Sequence, residues 1–300
     1  MTQIDKSRFE WIGSDSARRE GISRPSTTFW KDAIGRLMKN KVAVVCFFII
    51  VLLILSCIVV PFFSPFESRE QHLGEVNKGF MTVCTDSRYE GQHHVHYFGT
   101  DNLGRDLFLR AFEGGRVSLM IAFAAVFVNL IVGLIYGGIS GYIGGAVDTI
   151  MMRIVEIVNG IPYLIVVILL MMVLPKGIFT MVVAYGITGW TGMARLVRGQ
   201  VLQLKSQEYI VAAEAMGAKS SRIIAKHLIP NALSVIIINV TLAIPSAIFT
   251  EAFLSYIGLG VPVPQPSWGV LAKGGQDVFM TYPYPVSYTH LRAHETELHL

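Results

Sequence analysis

Residues 42–60 form an apolar run interrupted only by Ser56, and this run sets the strongest limit on what the chain can become. As a helix rising about 1.5 Å per residue it would reach roughly 28 Å, the thickness of the hydrocarbon layer of a bilayer. In lipid a backbone must satisfy its own polar groups, so a run of this length specifies a membrane-spanning helix and an all-α plan for whatever packs beside it. The rest of the chain agrees. Of 300 residues, 52% are hydrophobic and 15% charged, against about 25% charged in a soluble domain. The net charge of +4 carries no basic stripe interleaved with aromatics, so no nucleic-acid partner is expected. Three cysteines rule out a disulfide framework; Cys46 and Cys57 lie in the first apolar run and Cys84 in a polar loop.

Four further apolar segments are expected to span the bilayer, at 117–139, 150–174, 177–194 and 232–253, which makes five visible spans. Residues 1–41 form an N-terminal segment ending in Lys31, Arg36, Lys39 and Lys41, with Phe29 and Trp30 suited to an interfacial helix. Span one is taken as 42–63, closed by Pro61 and Pro65, and a polar loop follows over 64–116. Asp101, Arg105 and Asp106 are expected to form a local ion network in that loop. His93, His94 and His96 are read as solvated loop residues rather than as a metal site, because no suitably spaced Cys or carboxylate accompanies them. Gly133, Gly137, Gly141 and Gly145, each four apart, form a small-residue seam for close helix packing. Arg153 and Glu156 stand one turn apart and are expected to pair; Pro162 loosens the helix beyond them. Asn239 and Glu251 are read either as contacts to a pathway or as helix–helix hydrogen-bonding groups.

Lys and Arg cluster before span one and again between spans four and five, in Arg195, Arg198, Lys205, Lys219, Arg222 and Lys226. The positive-inside tendency puts both segments in the cytoplasm, with the N-terminus inside and 64–116 outside. The loop at 200–231 contains EYIVAAEAMGAKSSRIIAKHLIPN. Its Tyr209, Ala212, Ala213 and Met216 follow helical spacing, beside Glu208 and Glu214. Gly217 stands where a short helix needs a left-handed residue to stop, and Ser220 or Ser221 is placed to cap a second helix ending near Pro230.

Ala212, Ala213, Gly217 and Pro230 resemble the Glu-Ala-Ala, three residues, Gly, nine residues, Ile-x-Leu-Pro loop of import-type ABC transporter permeases. Val211, His227 and Ile229 depart from that consensus. Tyr209 before the alanines and His227 before Pro230-Asn231 look more like the dipeptide and oligopeptide branch, as does the block HYFGTDNLGRDLFLRAFEGGRVSL before span two. The resemblance implies a helical permease bundle with a core at 117–285, multi-pass in the bacterial plasma (inner) membrane. It implies that Glu208, Tyr209, Ala212, Ala213, Met216, Gly217, Ala218 and Pro230 form a coupling helix docked on a separate ATPase. It also implies a second permease subunit, two ATP-binding subunits and an external substrate-binding protein as partners, with the bilayer. The cargo implied is di- or oligopeptide; nickel or another small solute is the alternative within the family. The family has a sixth span, which is expected to be missing here, residues 286–300 reading as a non-native tail.

No G-x-x-x-x-G-K-[ST] occurs, so ATP chemistry is expected elsewhere, and no cofactor is expected. The spans hold no His, which argues against a membrane-embedded enzyme, and no internal repeat with ionisable broken spans points to an ion-coupled carrier.

Overall fold

A computed structural model describes residues 29–86, 94–279 and 281, in two units, Met1–Leu53 and Ile54–Leu300. The expected tail at 286–300, a sixth span beyond it, His93 and the segment before Phe29 lie outside the described residues. The first unit holds α1 (Phe29–Lys39) and the start of α2 (Lys41–Phe63), whose last residues belong to the second unit, and the Asn40 side chain accepts from the amide of Ala43 at 3.3 Å where α2 begins. Ile34, Leu37 and Met38 of α1 are exposed at helical spacing, an apolar stripe that none of the described residues buries. Along α2, Val42, Phe47, Phe48, Ile49, Ile50 and Leu52 all face outward, the arrangement of a helix whose solvent is lipid. Pro61 does not end this helix. It sits inside the final turn, and the helix stops at Phe63.

The second unit is built on α3 (Leu107–Ile143), 37 residues long, or about 55 Å. It begins well before the expected residue 117, because Asp106 caps it: its carboxylate accepts from the amide of Leu109 at 2.7 Å. The polar loop therefore closes at Asp106. Arg105 pairs with Asp101 at 2.7 Å as expected, but Asp106 leaves that network to serve the cap and His96.

Packing of α3 against α7 (Trp190–Lys205) follows the glycine seam. A Cβ at Gly133 would lie 2.6 Å from Met193 Cβ, one at Gly137 2.3 Å from the Ala194 carbonyl oxygen, and one at Gly141 2.9 Å from the Arg198 carbonyl oxygen. With only hydrogens there, the two backbones come close enough for dispersion to hold them in lipid. Gly145 is not part of the seam. It adopts φ +58 in open space after Gly144, at the break between α3 and α4 (Gly145–Asn159).

Two expected spans are broken. The segment 150–174 is α4 followed by α5 (Tyr163–Val173), bent by 76°. Ile161 precedes Pro162, a position that disfavours helical backbone, and the turn at Gly160 completes the break. Arg153 and Glu156 pair at 2.6 Å on an exposed face of α4. The segment 177–194 is α6 (Ile178–Thr188) joined to α7 at Gly189, where a Cβ would lie 2.4 Å from the Asn129 side chain. Among the described residues, three helices are long and apolar enough to cross a membrane, or four if the bent pair counts as one span, rather than five.

The third of these, Ser220–Tyr256, includes α9 (Ser220–Ile223), a π turn (Ile224–Leu228) and α10 (Ile229–Tyr256). Within α10, Glu251 is fully buried and accepts from Ser118 Oγ and Ser255 Oγ at 2.7 Å each. It is a bonded junction between α10 and α3, and α11 (Trp268–Val278) joins it through the amide of Trp268 donating to Ser118 Oγ at 3.1 Å.

At the opposite end of α3 from the 200–231 loop, a 3₁₀ turn (Leu73–Glu75) and a two-stranded ladder, β1 (Thr82–Val83) against β2 (Val95–His96), fold the polar loop into a small cap. His96 is not solvated. It is fully buried, its Nδ1 2.8 Å from Asp106 and its Nε2 3.1 Å from Glu75. Burial pulls its pKa down, but the carboxylates of Asp106 and Glu75 outweigh that and hold it above the ordinary imidazole value.

Candidate functional site

The 200–231 loop is a helix–turn–helix whose inner side belongs to the core of the bundle. α8 (Glu208–Ala215) starts at Gln207, whose carbonyl accepts from Ile210 at 2.9 Å and Val211 at 3.2 Å. It ends in two bonds, Ala218 N–H to the Ala213 carbonyl at 3.1 Å and Gly217 N–H to the Glu214 carbonyl at 2.9 Å. This six-to-one and five-to-two pair is a Schellman stop, and Gly217 supplies its left-handed residue at φ +80. A Cβ at Gly217 would meet nothing within 4 Å in this chain, so within the chain it is the left-handed backbone, not space, that favours glycine there.

Ile210, Ala213, Ile223 and Leu228 are buried, and three of them pack with Tyr142, Val197, Val201 and Ile236 in one cluster. The expected apolar face of α8 is therefore divided. Ala213 turns inward beside Ile210, whereas Tyr209, Ala212 and Met216 turn outward with Glu208, and Met216 is 81% exposed. Ala218 packs against the core from just past the stop, and Pro230 is exposed. The burial of Ile210 was missed in the sequence because Ala213 is the one position adjacent to both faces, and small side chains do not declare a side.

Two further features differ from expectation. Lys219, not Ser220 or Ser221, occupies the N-cap of α9, with no side-chain cap; the serines lie in the first turn. Pro230 does not terminate the second helix. The π turn precedes it, with Ile229 N–H bonding to the Ile224 carbonyl, and the helix widens by one residue before accepting a proline at the start of α10. Asn231 Nδ2 donates to the His227 carbonyl at 2.6 Å across the same turn.

Polar bonds join the ends of α3, α4 and α7 beside α8, and one of them reaches α8 itself. Arg198 grips Asp148 with two nitrogens at 2.5 Å each, and Ser140 Oγ donates to the same carboxylate at 2.5 Å. Lys205 Nζ donates to the Tyr142 carbonyl at 2.6 Å and lies 5.1 Å above the Tyr142 ring, while Tyr142 OH donates to Glu214 at 3.0 Å. A bidentate guanidinium–carboxylate pair fixes angle as well as distance, so α7 and α4 are held in a set geometry beside the Tyr142–Glu214 bond that reaches α8. The arrangement is a stiff, outward-facing peg of small and flexible side chains. It holds no nucleophile–base pair and suits contact rather than catalysis.

The family comparison decides what kind of bundle carries such a peg. Residues 129–286 match the model described as binding-protein-dependent transport system inner membrane component, and residues 28–79 match the N-terminal TM domain of oligopeptide transport permease C. The oligopeptide transport system permease protein OppC of Bacillus subtilis is 48% identical over 284 residues, covering 95% of this chain and 89% of the relative. The chain belongs to this permease family. It is a multi-pass inner-membrane component of a transport system, not an enzyme. Among other relatives, the dipeptide transport system permease protein DppC of the same organism is 46% identical over 85% of this chain and 76% of its own, and OppC of Escherichia coli strain K12 is 41% identical over 94% and 89%. A chain from the inward-facing MetNI methionine ABC transporter shares the fold with a TM-score of 0.50 at 19% identity, over 61% of this permease and 87% of that chain. The first family match spans the glycine seam, the α8 peg and α10; the second spans α1, α2 and the start of the cap.

Proposed function

We propose that this permease subunit carries di- or oligopeptides across the membrane, the pathway forming between it and a second permease subunit. The observation that carries the cargo is the 48% identity to an oligopeptide permease along nearly the whole chain. Two ATP-binding subunits drive the cycle, and an external binding protein delivers substrate. The N-terminus and the 200–231 loop face the cytoplasm, in keeping with the Lys and Arg that surround both.

In this reading Glu208, Tyr209, Ala212 and Met216 of α8 seat in a groove on the ATP-binding subunit, with Gly217 setting the angle at which the chain leaves that groove. Ala213 and Ala218 hold the peg from inside, and Pro230 stands where the peg rejoins the bundle. Nucleotide-driven closure of the ATP-binding subunits pushes on α8, and the Glu214–Tyr142 and Arg198–Asp148 contacts pass the displacement to α3, α4 and α7. Transport requires that cargo-loaded binding protein favour one of the two bundle states over the other, since equal affinity shifts nothing.

Reconstitution in liposomes tests the proposal. With the paired permease, both ATP-binding subunits and the binding protein present, labelled di- or oligopeptide should accumulate with ATP, and omission of this chain should abolish uptake. ATP-dependent uptake of nickel with no peptide uptake would overturn the cargo assignment.

A further inference from the structure

The cap at the far end of α3 brings together three donor groups from residues 72–84. His72 and Glu75 flank one 3₁₀ turn, closed by Glu75 N–H bonding to the His72 carbonyl at 2.8 Å. His72 stands just before the turn and Glu75 ends it, so the closing bond holds the two residues near one another. Cys84 follows β1 directly, its amide held by the His94 carbonyl at 2.8 Å. One ligand atom from each of the three lies within 4.8 Å of the other two, and all three residues are buried.

From these contacts we propose that His72, Glu75 and Cys84 bind a divalent transition metal of the zinc class. The donor set is one imidazole nitrogen, one carboxylate oxygen and one sulfur, which suits a borderline-soft cation with nitrogen and sulfur preference and leaves a fourth position for water. Asp86 Oδ2 lies 2.8 Å from His72 Nδ1. A proton held between them fixes the tautomer in which Nε2 presents its lone pair, the carboxylate–histidine–metal arrangement common around such ions. Glu75 is anchored by Thr85 Oγ1 at 2.8 Å, by the Thr85 amide, and by His96 Nε2 at 3.1 Å. Both Thr85 donors go to Glu75 Oε1, so Oε2, which accepts from His96 Nε2 alone, is the oxygen that keeps a lone pair for a metal. The frame is tight: a Cβ at Gly104 would fall 2.0 Å from the His72 carbonyl oxygen, so the turn at Gly104 packs directly on the ligand-bearing strand of backbone. On binding, the Cys84 thiol releases its proton to solvent and the thiolate sulfur becomes the ligand, which makes affinity rise with pH.

The test uses the full-length chain in nanodiscs, stripped with a chelator and then titrated with Zn²⁺ and, separately, Co²⁺. Expected are stoichiometric Zn²⁺ binding, protection of Cys84 from alkylation by Zn²⁺, and a sulfur-to-cobalt charge-transfer band with Co²⁺. Cys84→Ser should lose the band, and Cys46→Ser and Cys57→Ser should keep it, which separates this site from adventitious binding by His290, His294 and His299. Asp86→Asn leaves the ligands and their packing in place, and should weaken Zn²⁺ affinity by about 10–100-fold. No charge-transfer band in the unmodified chain, or alkylation of Cys84 at the same rate with and without Zn²⁺, would overturn the proposal.

Discussion

Substitution of Gly217 separates two reasons why a glycine could be needed at the end of α8. The residue sits at φ +80, and a Cβ there would touch nothing within 4 Å in this chain. Within the chain, therefore, the cost of a side chain is conformational: about 1–2 kcal/mol for holding alanine in the left-handed region, less for asparagine, which visits it readily, and more for valine, whose β-branch is stiff. The Schellman bonds of Gly217 and Ala218 report that cost locally. Amide exchange in α8 should speed up by roughly 5–30-fold in Gly217→Ala, clearly less in Gly217→Asn, and most in Gly217→Val. If transport depends on the peg holding its shape, peptide-stimulated ATPase activity of the reconstituted complex should fall in the same order, with Asn the mildest. If a partner's groove simply excludes bulk, the order of Ala and Asn reverses. Unchanged exchange in the alanine variant would refute the backbone argument, and reversed ATPase activities would move the constraint to the interface.

Other consequences follow from contacts within the bundle. Gly137→Ala should destabilise by about 1–3 kcal/mol, because its Cβ meets the Ala194 backbone, while Gly138→Ala, whose Cβ reaches only ordinary contact with Ile224 at 3.4 Å, should be near neutral; thermal unfolding in detergent compares them. Ile210→Ala should cost about 2–5 kcal/mol and loosen α8 from the bundle, read by protease sensitivity of the 200–231 loop. Arg198→Lys loses the fork that grips Asp148, and a double-mutant cycle with Asp148→Asn should return a coupling of about 1 kcal/mol, falling with added salt because Arg198 is a third exposed.

The long apolar helices were readable because each announces itself by composition over a length that only lipid explains. The glycine seam was readable too, because four-residue spacing of Gly133, Gly137 and Gly141 states a contact surface without naming its partner, and α7 fills that role. Breaks were harder. Asn129 facing Gly189 is a long-range contact that no local pattern records, and the bend at Pro162 looked from sequence like a loosened helix rather than a 76° turn. At the peg, Gly217 was legible from turn chemistry. The inward turn of Ala213 and the tether from Glu214 to Tyr142 were not, because both depend on where α3 ends relative to α8. The cap was misread as solvated loop for the same reason: His96 lies opposite Thr82 across a two-residue ladder, and nothing near it in sequence predicts Glu75 or Asp106 beside its ring.

Position 216 carries the decisive measurement. A photo-crosslinking amino acid in place of Met216, activated in intact cells that express the whole transporter, should give a covalent adduct with the ATP-binding subunit and none with the external binding protein. Adducts with the binding protein, or none with the ATP-binding subunit while transport continues, would contradict the assignment of α8 as the part of this permease that meets its motor.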